Sequence, residues 1–192
     1  MTRIKSFLNS KRGLSTAVSS LIILVVSVLL ATVVTYYAIN VTSVRVEEEA
    51  VYMQKVHIWV NSSYSLGAFA ITNTGGKDIL VDKISVRGGE SDWGDVYYWK
   101  ANETVTSDLL ITNATALDTS TENIEYNTGK TRSFTKATAD IPVASGATMV
   151  FYFKSPDSVT VNDIGSTVSV TVYTVQAEYL EECNVESATP NS

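Results

Sequence analysis

Two hydrophobic patterns divide the chain. From Leu14 to Val44 no residue is charged, and Leu, Ile and Val occur on every face of a helix rather than along one stripe. Beyond residue 55 the apolar residues instead alternate with polar ones in short segments rich in Val, Tyr, Ser and Thr, as in β-strands. The pattern therefore predicts one long apolar helix followed by a β-rich domain.

The apolar segment is long enough to cross a membrane. As a helix it would extend about 46 Å, against about 30 Å for the hydrocarbon core of a bilayer. No Gly or Pro between Leu14 and Leu66 obliges it to break. We therefore predict a hydrophobic, membrane-spanning helix over residues 14–55. Its acidic residues 47–49 point about 100° apart and cannot converge on a metal ion, so we expect them to face water.

The β-rich region contains regularly spaced strand signals. They lie at 66–73, 77–87, 95–100, 104–112, 130–136, 147–154 and 166–179. Thr74-Gly75-Gly76 is typical of a hairpin turn between the first two, and a slip in alternation at Asp82-Lys83 indicates a bulge. We predict an α+β fold in which residues 56–180 form an antiparallel, immunoglobulin-like β-sandwich. Residues 113–129 are expected to be a surface loop and residues 181–192 a flexible tail.

Charge is distributed unevenly along the chain. The first 13 residues contain Arg3, Lys5, Lys11 and Arg12 and no acid. From Leu14 onward, 10 cationic residues face 20 acidic ones, a formal charge of −10. This balance suits a solvated exterior and argues against nucleic acid as a partner, because phosphate binding requires clustered Lys and Arg.

A basic segment ahead of an apolar helix has two common explanations. A cleaved secretory signal has an apolar core of about 7–15 residues and a small-residue cleavage site, neither of which is present here. A permanent membrane anchor is compatible with the sequence, since cations stay on the cytoplasmic side and the acidic remainder would be exported. Neither explanation accounts for the glycine at position 13.

Lys11-Arg12-Gly13-Leu14, followed by small hydroxyl residues and a long apolar helix, resembles the class III signal peptide of the type IV pilin superfamily, especially its archaeal pilins and archaellins. The resemblance covers the segment before the β-rich region. It implies that residues 1–13 are a leader, which a membrane prepilin peptidase removes by cutting between Gly13 and Leu14. It also implies that the retained helix packs with copies of itself in an extracellular filament.

One position departs from the bacterial members of this family. Bacterial pilins often carry glutamate at the fifth mature position, where this chain has Val18; archaeal relatives frequently lack that acid. The resemblance therefore implies an archaeal adhesive pilus subunit, stored in the membrane and then exported to the cell surface. Its implied partners are copies of itself, the peptidase and a membrane assembly machinery. An archaellum subunit and a monomeric, membrane-anchored surface-binding protein remain alternatives.

Residues with catalytic or metal-binding chemistry are scarce. His57 is the only histidine and Cys183 the only cysteine, whereas zinc needs several such ligands. Residues 88–94, Gly-Gly-Glu-Ser-Asp-Trp-Gly, nearly match the G-x-S-x-G nucleophile elbow but have Trp93 where its second glycine is required, and no phosphate-binding loop or dinucleotide motif occurs. We expect no enzyme, cofactor or metal, a structural role for His57, and either an unpaired Cys183 or an intermolecular disulfide.

Two further patterns concern the surface. The acceptor pattern N-x-[ST] marks Asn61, Asn102 and Asn113 as possible N-glycosylation sites in an exported protein, while a fourth match at Asn40 lies in the apolar segment. The aromatic residues 97–99, near Trp93, resemble a carbohydrate-binding platform. Alternation favours a core strand instead, with Tyr97 and Trp99 on one face and Tyr98 on the other.

Overall fold

The computed structural model describes residues 3–112, 117–156 and 158–188, except for the side chains of 3–14 and 44–47. Within these residues the chain contains one α-helix followed by a sheet of 11 strands. The helix and the β domain are separate compact units, divided between Val46 and Glu47. The α+β class is confirmed.

Helix α1 covers Arg3–Glu47 and ends earlier than the predicted boundary at residue 55. Residues 48–50 are irregular, and the first strand begins at Val51. The prediction was wrong here because the absence of Gly and Pro permits a helix without requiring one. Val51 and its neighbours instead pair with residues 70–73 in an antiparallel ladder, which satisfies their backbone groups.

The strands follow one another with short connections, apart from the segment between the fifth and sixth. They are β1 Val51–Val60, β2 Ser65–Asn73, β3 Ile79–Val86, β4 Gly89–Glu90, β5 Val96–Ala101, β6 Thr121–Asn127, β7 Lys130–Lys136, β8 Ile141–Val143, β9 Thr148–Lys154, β10 Thr167–Thr174 and β11 Glu178–Ser187. Their order in the sheet is β4-β3-β10-β11-β1-β2-β9-β5-β7-β6, and β8 pairs with β3. The described pairs are antiparallel except β1–β11, where Ile58–Val60 run parallel to Val185–Ser187.

Three sequence predictions about this region were wrong. The predicted strand at 104–112 is an irregular segment. The predicted loop at 113–129 contains β6, and its residues 113–116 lie outside the described part. The predicted tail at 181–192 forms most of β11 up to Ser187; residues 189–192 again lie outside. Each missed strand carries Glu or Asn at several positions, and its pairing with a distant partner overrides its weak local preference.

The predicted hairpin between β2 and β3 does not form, because β2 pairs with β1 and β9 whereas β3 pairs with β10, β4 and β8. Gly75 in the connection is required for close approach rather than for a positive φ. A Cβ there would lie 2.6 Å from the Glu48 carbonyl oxygen and 2.8 Å from the Ala50 nitrogen. The predicted bulge is confirmed, since β10 pairs with Lys83 and then Val81, skipping Asp82.

The β domain buries two apolar clusters. The first combines residues of β3 and β10, such as Ile84 and Val172, with Phe69 of β2 and Phe151 of β9. The second lies on the opposite face of β2 and β9 and includes five buried aromatic side chains. Its buried members are Trp59, Leu66, Ala68, Ala70, Tyr97, Val105, Leu109, Leu117, Ile124, Tyr126, Phe134, Val150, Tyr152 and Ala188. The central strands are therefore buried on both faces, and the irregular segment after β5 supplies part of the second cluster.

Candidate functional site

Helix α1 presents an extensive apolar surface that is not buried against other described residues. Residues Ser15–Ser43 have a mean hydropathy of 2.8, none of them is buried, and they are long and apolar enough to cross a membrane. Their large apolar side chains are 45–71% exposed. Burying one such side chain in apolar surroundings contributes about 1.5–3 kcal/mol relative to water. This surface therefore favours lipid or protein around it over water.

Hydroxyl groups along this helix do not interrupt its apolar character. They donate to backbone carbonyls three or four residues earlier, at 2.7–2.9 Å; the donors are Ser19, Ser20, Ser27, Thr32 and Thr35. A hydroxyl bonded in this way needs no partner outside the helix. The helix can consequently enter an apolar environment without leaving these donors unsatisfied.

The predicted processing residues Lys11, Arg12, Gly13 and Leu14 all lie within α1. Their side chains are outside the described part of the structure. Processing after Gly13 therefore stays a prediction.

The predicted glycosylation sites have different environments. Asn61 is half-buried in the turn between β1 and β2, where its side-chain oxygen accepts from the Ser63 and Tyr64 amides at 2.8 and 2.9 Å. Asn102 is exposed just after β5, and Asn113 lies outside the described residues. Asn40 is exposed on α1. Asn61, Asn102 and Asn40 lie in different parts of the described structure, and modification of the predicted sites stays a prediction.

His57 lies in a polar cluster of the β domain. Its Nε2 is 2.7 Å from Asp108 Oδ1 and its Nδ1 is 3.1 Å from Glu186 Oε1. The ring stacks on Trp59 with centroids 5.1 Å apart, and Trp59 Nε1 donates to the other oxygen of Glu186 at 3.0 Å. An open cleft of about 440 Å³ adjoins this cluster.

Asp108 is held in its charged form by this arrangement. Desolvation alone would raise the pKa of Asp108, but the hydrogen bond and positive charge of His57, the Leu109 amide and the charge of Lys55 together lower it. Among the described residues, no group of three or more His, Cys, Asp and Glu side chains is arranged to hold a metal. The chemistry of the cluster is therefore that of ion pairing between distant parts of the chain.

A second polar cluster surrounds Glu103. Its carboxylate accepts from the Tyr126 hydroxyl at 2.9 Å, from Lys130 at 3.3 Å and from Arg132 at 2.6 Å. The hydrogen bond from Tyr126, assisted by the two cations, lowers the pKa of Glu103. Arg132 also lies over the Trp99 ring, 5.9 Å from its centroid. These contacts attach the start of the irregular segment to β6 and β7.

The aromatic residues of β5 occupy the faces that alternation predicted. Tyr97 is fully buried in the second cluster and Trp99 packs against it, whereas Tyr98 packs against the first. Trp93 also packs against the first cluster. The interpretation of these residues as core is confirmed, and they do not share one exposed face.

Sequence reasoning missed the partners of His57 and the role of Glu103. Asp108 is 51 residues and Glu186 is 129 residues away from His57 along the chain. No local spacing relates residues so far apart, and Glu186 fell in the presumed tail. The only local sign was the single histidine among the apolar residues of β1.

Neither a scan of the chain against protein-family models nor a search of curated proteins found a significant match.

Proposed function

We propose that this protein is the structural subunit of an archaeal type IV pilus-like filament, which polymerises through α1 after removal of residues 1–13. The observation that carries the proposal is the surface of α1. Over Ser15–Ser43 it is uncharged and exposed on every side, and five of its hydroxyls are satisfied within the helix. A helix of this kind needs an apolar environment on all faces, which a bundle of identical helices provides as well as a bilayer does.

The basic leader would determine which of the two environments the helix occupies. While Arg3, Lys5, Lys11 and Arg12 remain attached, they hold the N-terminus on the cytoplasmic side of the membrane. Their charges would be costly inside a bundle of apolar helices. Cutting after Gly13 removes all four and leaves Leu14 as the first residue, so that the helix can move from lipid to its own copies.

Two tyrosines mark the outer limit of the membrane-stored form. Residues 15–35 would cover about 32 Å as a helix, close to the hydrocarbon thickness. Tyr36 and Tyr37 follow directly, and tyrosine is enriched at the level of the lipid headgroups. We place the remainder of α1, with Asn40, outside the bilayer. Of the acidic residues expected to face water, Glu48 is exposed just beyond the helix, whereas Glu49 is half-buried and accepts from the Thr174 hydroxyl, which corrects that expectation.

The β domain would form the outer wall of the filament as an immunoglobulin-like sandwich. Supporting this architecture, β3 and β10 share one apolar cluster with β1, β2 and β9, as two facing sheets would. The formal charge of −10 from Leu14 onward suits a solvated outer surface. We propose adhesion as the role; the choice between a pilus and an archaellum depends on the assembly motor, which this chain does not encode. An archaellum subunit remains the alternative within the filament class.

The test is to characterise material sheared from cells that produce the protein. We expect lipid-free fibres by electron microscopy, and N-terminal sequencing of their subunit should begin at Leu14. An intact chain beginning at Met1 and recovered only with membranes would overturn the proposal in favour of the anchored monomer. Deleting the gene then separates the two filament functions, since loss of attachment indicates a pilus and loss of swimming an archaellum.

A matched pair of variants tests the cutting step itself. Gly13→Val should block processing, so that precursor accumulates in the membrane and fibres are lost. Ser15→Ala, two residues away, leaves the glycine intact and should be processed normally. Fibre formation by uncut Gly13→Val would show that leader removal is not required for assembly.

A further inference from the structure

Strand β1 contains a bulge that directs two cationic side chains toward one segment. The register with β2 shifts between Gln54 and His57, and Lys55 within the bulge has a φ of 56°. A non-glycine residue with positive φ is strained, and such strain is retained where surrounding contacts hold it. Here Lys55 Nζ donates to the Ser107 carbonyl, and His57 contacts Asp108 beside it.

The segment contacted by these side chains is residues 102–112, which we call the cover segment. It lies over the second apolar cluster and contributes Val105 and Leu109 to it. Its backbone is also bonded to the sheet, since the Leu110 amide donates to the Tyr126 carbonyl at 3.0 Å and the Tyr152 hydroxyl donates to the Leu110 carbonyl at 2.8 Å. Release of this segment would expose the second apolar cluster to water.

Both ring nitrogens of His57 face a carboxylate oxygen. A neutral imidazole carries one proton, so it can donate to only one of the two acceptors, and its other nitrogen would then present a lone pair to a negative oxygen. An imidazolium donates from both nitrogens. The geometry around His57 is therefore satisfied only by the doubly protonated ring.

The two carboxylates are held with different firmness. Glu186 belongs to β11 and is fixed by Trp59, whereas Asp108 lies in the irregular cover segment. When the imidazolium ring loses one proton, its remaining N–H group continues to donate to the carboxylate that is held more firmly. We therefore expect the remaining proton on Nδ1, facing Glu186, with the contact to Asp108 lost.

We propose that His57 is a proton-dependent latch that holds the cover segment on the sheet, closed while both ring nitrogens are protonated and loosened when Nε2 loses its proton. The latch therefore loosens as the pH rises past the point at which this ring loses its second proton. Asp108 stays charged down to more acidic values, which leaves it available as the acceptor throughout.

Three other titratable groups lie near the latch. Burial raises the pKa of the Tyr152 hydroxyl, and burial together with the charge of Glu186 raises that of the Cys183 thiol to about 11. Burial lowers the pKa of the Lys55 ammonium, opposed by the charge of Asp108, and its bond to the Ser107 carbonyl holds the cover segment separately from His57. The variants below separate the response of His57 from that of Lys55.

The first experiment reads the protons directly. The full chain is prepared in detergent micelles with ¹⁵N-labelled histidine and no polyhistidine tag, so that His57 is the single labelled residue. Along a pH series, we expect both ring nitrogens to show protonated imidazolium shifts at the acidic end, and the Nδ1-protonated neutral tautomer once the ring has lost one proton. An Nε2-protonated neutral ring at the higher pH would overturn the assignment of Asp108 as the released partner.

The second experiment measures the cover segment by hydrogen exchange in the same sample. Rates at Leu110 are divided by those of Phe151 in β9, which removes the intrinsic effect of pH. We expect this ratio to rise about three- to tenfold between a pH at which the nitrogen shifts show the charged ring and a pH at which they show the neutral ring, the range for loss of one partly exposed charge-assisted hydrogen bond. An unchanged ratio would overturn the latch.

Variants separate the latch from a merely structural contact. His57→Gln should give the fast ratio at both pH values. Asp108→Asn, at an exposed side chain that tolerates substitution, should reduce the pH response and serves if His57→Gln does not fold. Lys55→Met is the matched control, since it should speed exchange at both pH values while the pH response persists. A wild-type pH response in His57→Gln or Asp108→Asn would assign it to another group.

Discussion

At the scale of the residue, Gly67 lies directly beneath an aromatic ring. Gly67 is the third residue of β2, and a Cβ there would be 2.1 Å from Cζ of Phe153 in β9. We expect Gly67→Ala to lower the free energy of unfolding by about 1–3 kcal/mol, because the ring must leave its position in a packed core. Urea unfolding of the full chain in micelles measures the change.

The double variant Gly67→Ala/Phe153→Leu tests the cause of that effect. Removing the ring relieves the clash, so the two substitutions should cost less together than the sum of the single ones. Strict additivity would show that the loss at Gly67 has another origin.

Cys183 supplies a prediction about chemical reactivity. Burial, with a contribution from the charge of Glu186, raises the pKa of this thiol to about 11. The reactive thiolate is therefore scarce at pH 8, and alkylation by iodoacetamide should be about 100-fold slower than for a thiol in water. The same chain in concentrated urea is the control and should react at the ordinary rate. Equal rates in both states would contradict the raised pKa.

At the scale of the element, substitutions at Ser27 distinguish the effect of losing a polar group in α1 from the effect of adding a charge. Ser27 donates to the Ile23 carbonyl within the helix, so Ser27→Ala removes no contact to the surroundings and should leave membrane insertion and fibre yield unchanged. Ser27→Glu places an uncompensated charge near the middle of the segment, at a cost of about 2.5–3.5 kcal/mol. We expect it to reduce both quantities, measured by membrane fractionation and by fibre recovery. Normal assembly of Ser27→Glu would contradict an apolar environment there.

The strands show how far sequence pattern predicts elements. β7 and β9 were predicted within one residue of their ends because apolar alternation and flanking turns coincide there. β6 and β11 were missed since their exposed faces carry acids and asparagines, and only the partner strand shows that they pair. The same limit applies to the candidate site. The apolar surface of α1 could be predicted because it follows from 29 consecutive residues. The contacts of His57 could not, because they join three separate parts of the chain.

At the scale of the whole molecule, the two apolar clusters share β1, β2 and β9, so the β domain should unfold as one unit. A variant that retains only Trp93 reports on the first cluster, and one that retains only Trp99 reports on the second. In each variant, we expect the urea transition measured by tryptophan fluorescence to have the same midpoint as the transition measured by near-ultraviolet circular dichroism. Fluorescence that changes before the dichroism in either variant would indicate that the clusters unfold separately.

The position of β11 has a consequence for biosynthesis. This strand lies between β10 and β1, and it is translated after every other described strand. The sheet therefore lacks its central connection until residues 178–187 have left the ribosome, by which time α1 has long since emerged. If the protein is exported as proposed, this order of synthesis lets the apolar N-terminus engage the export machinery before the sheet can close.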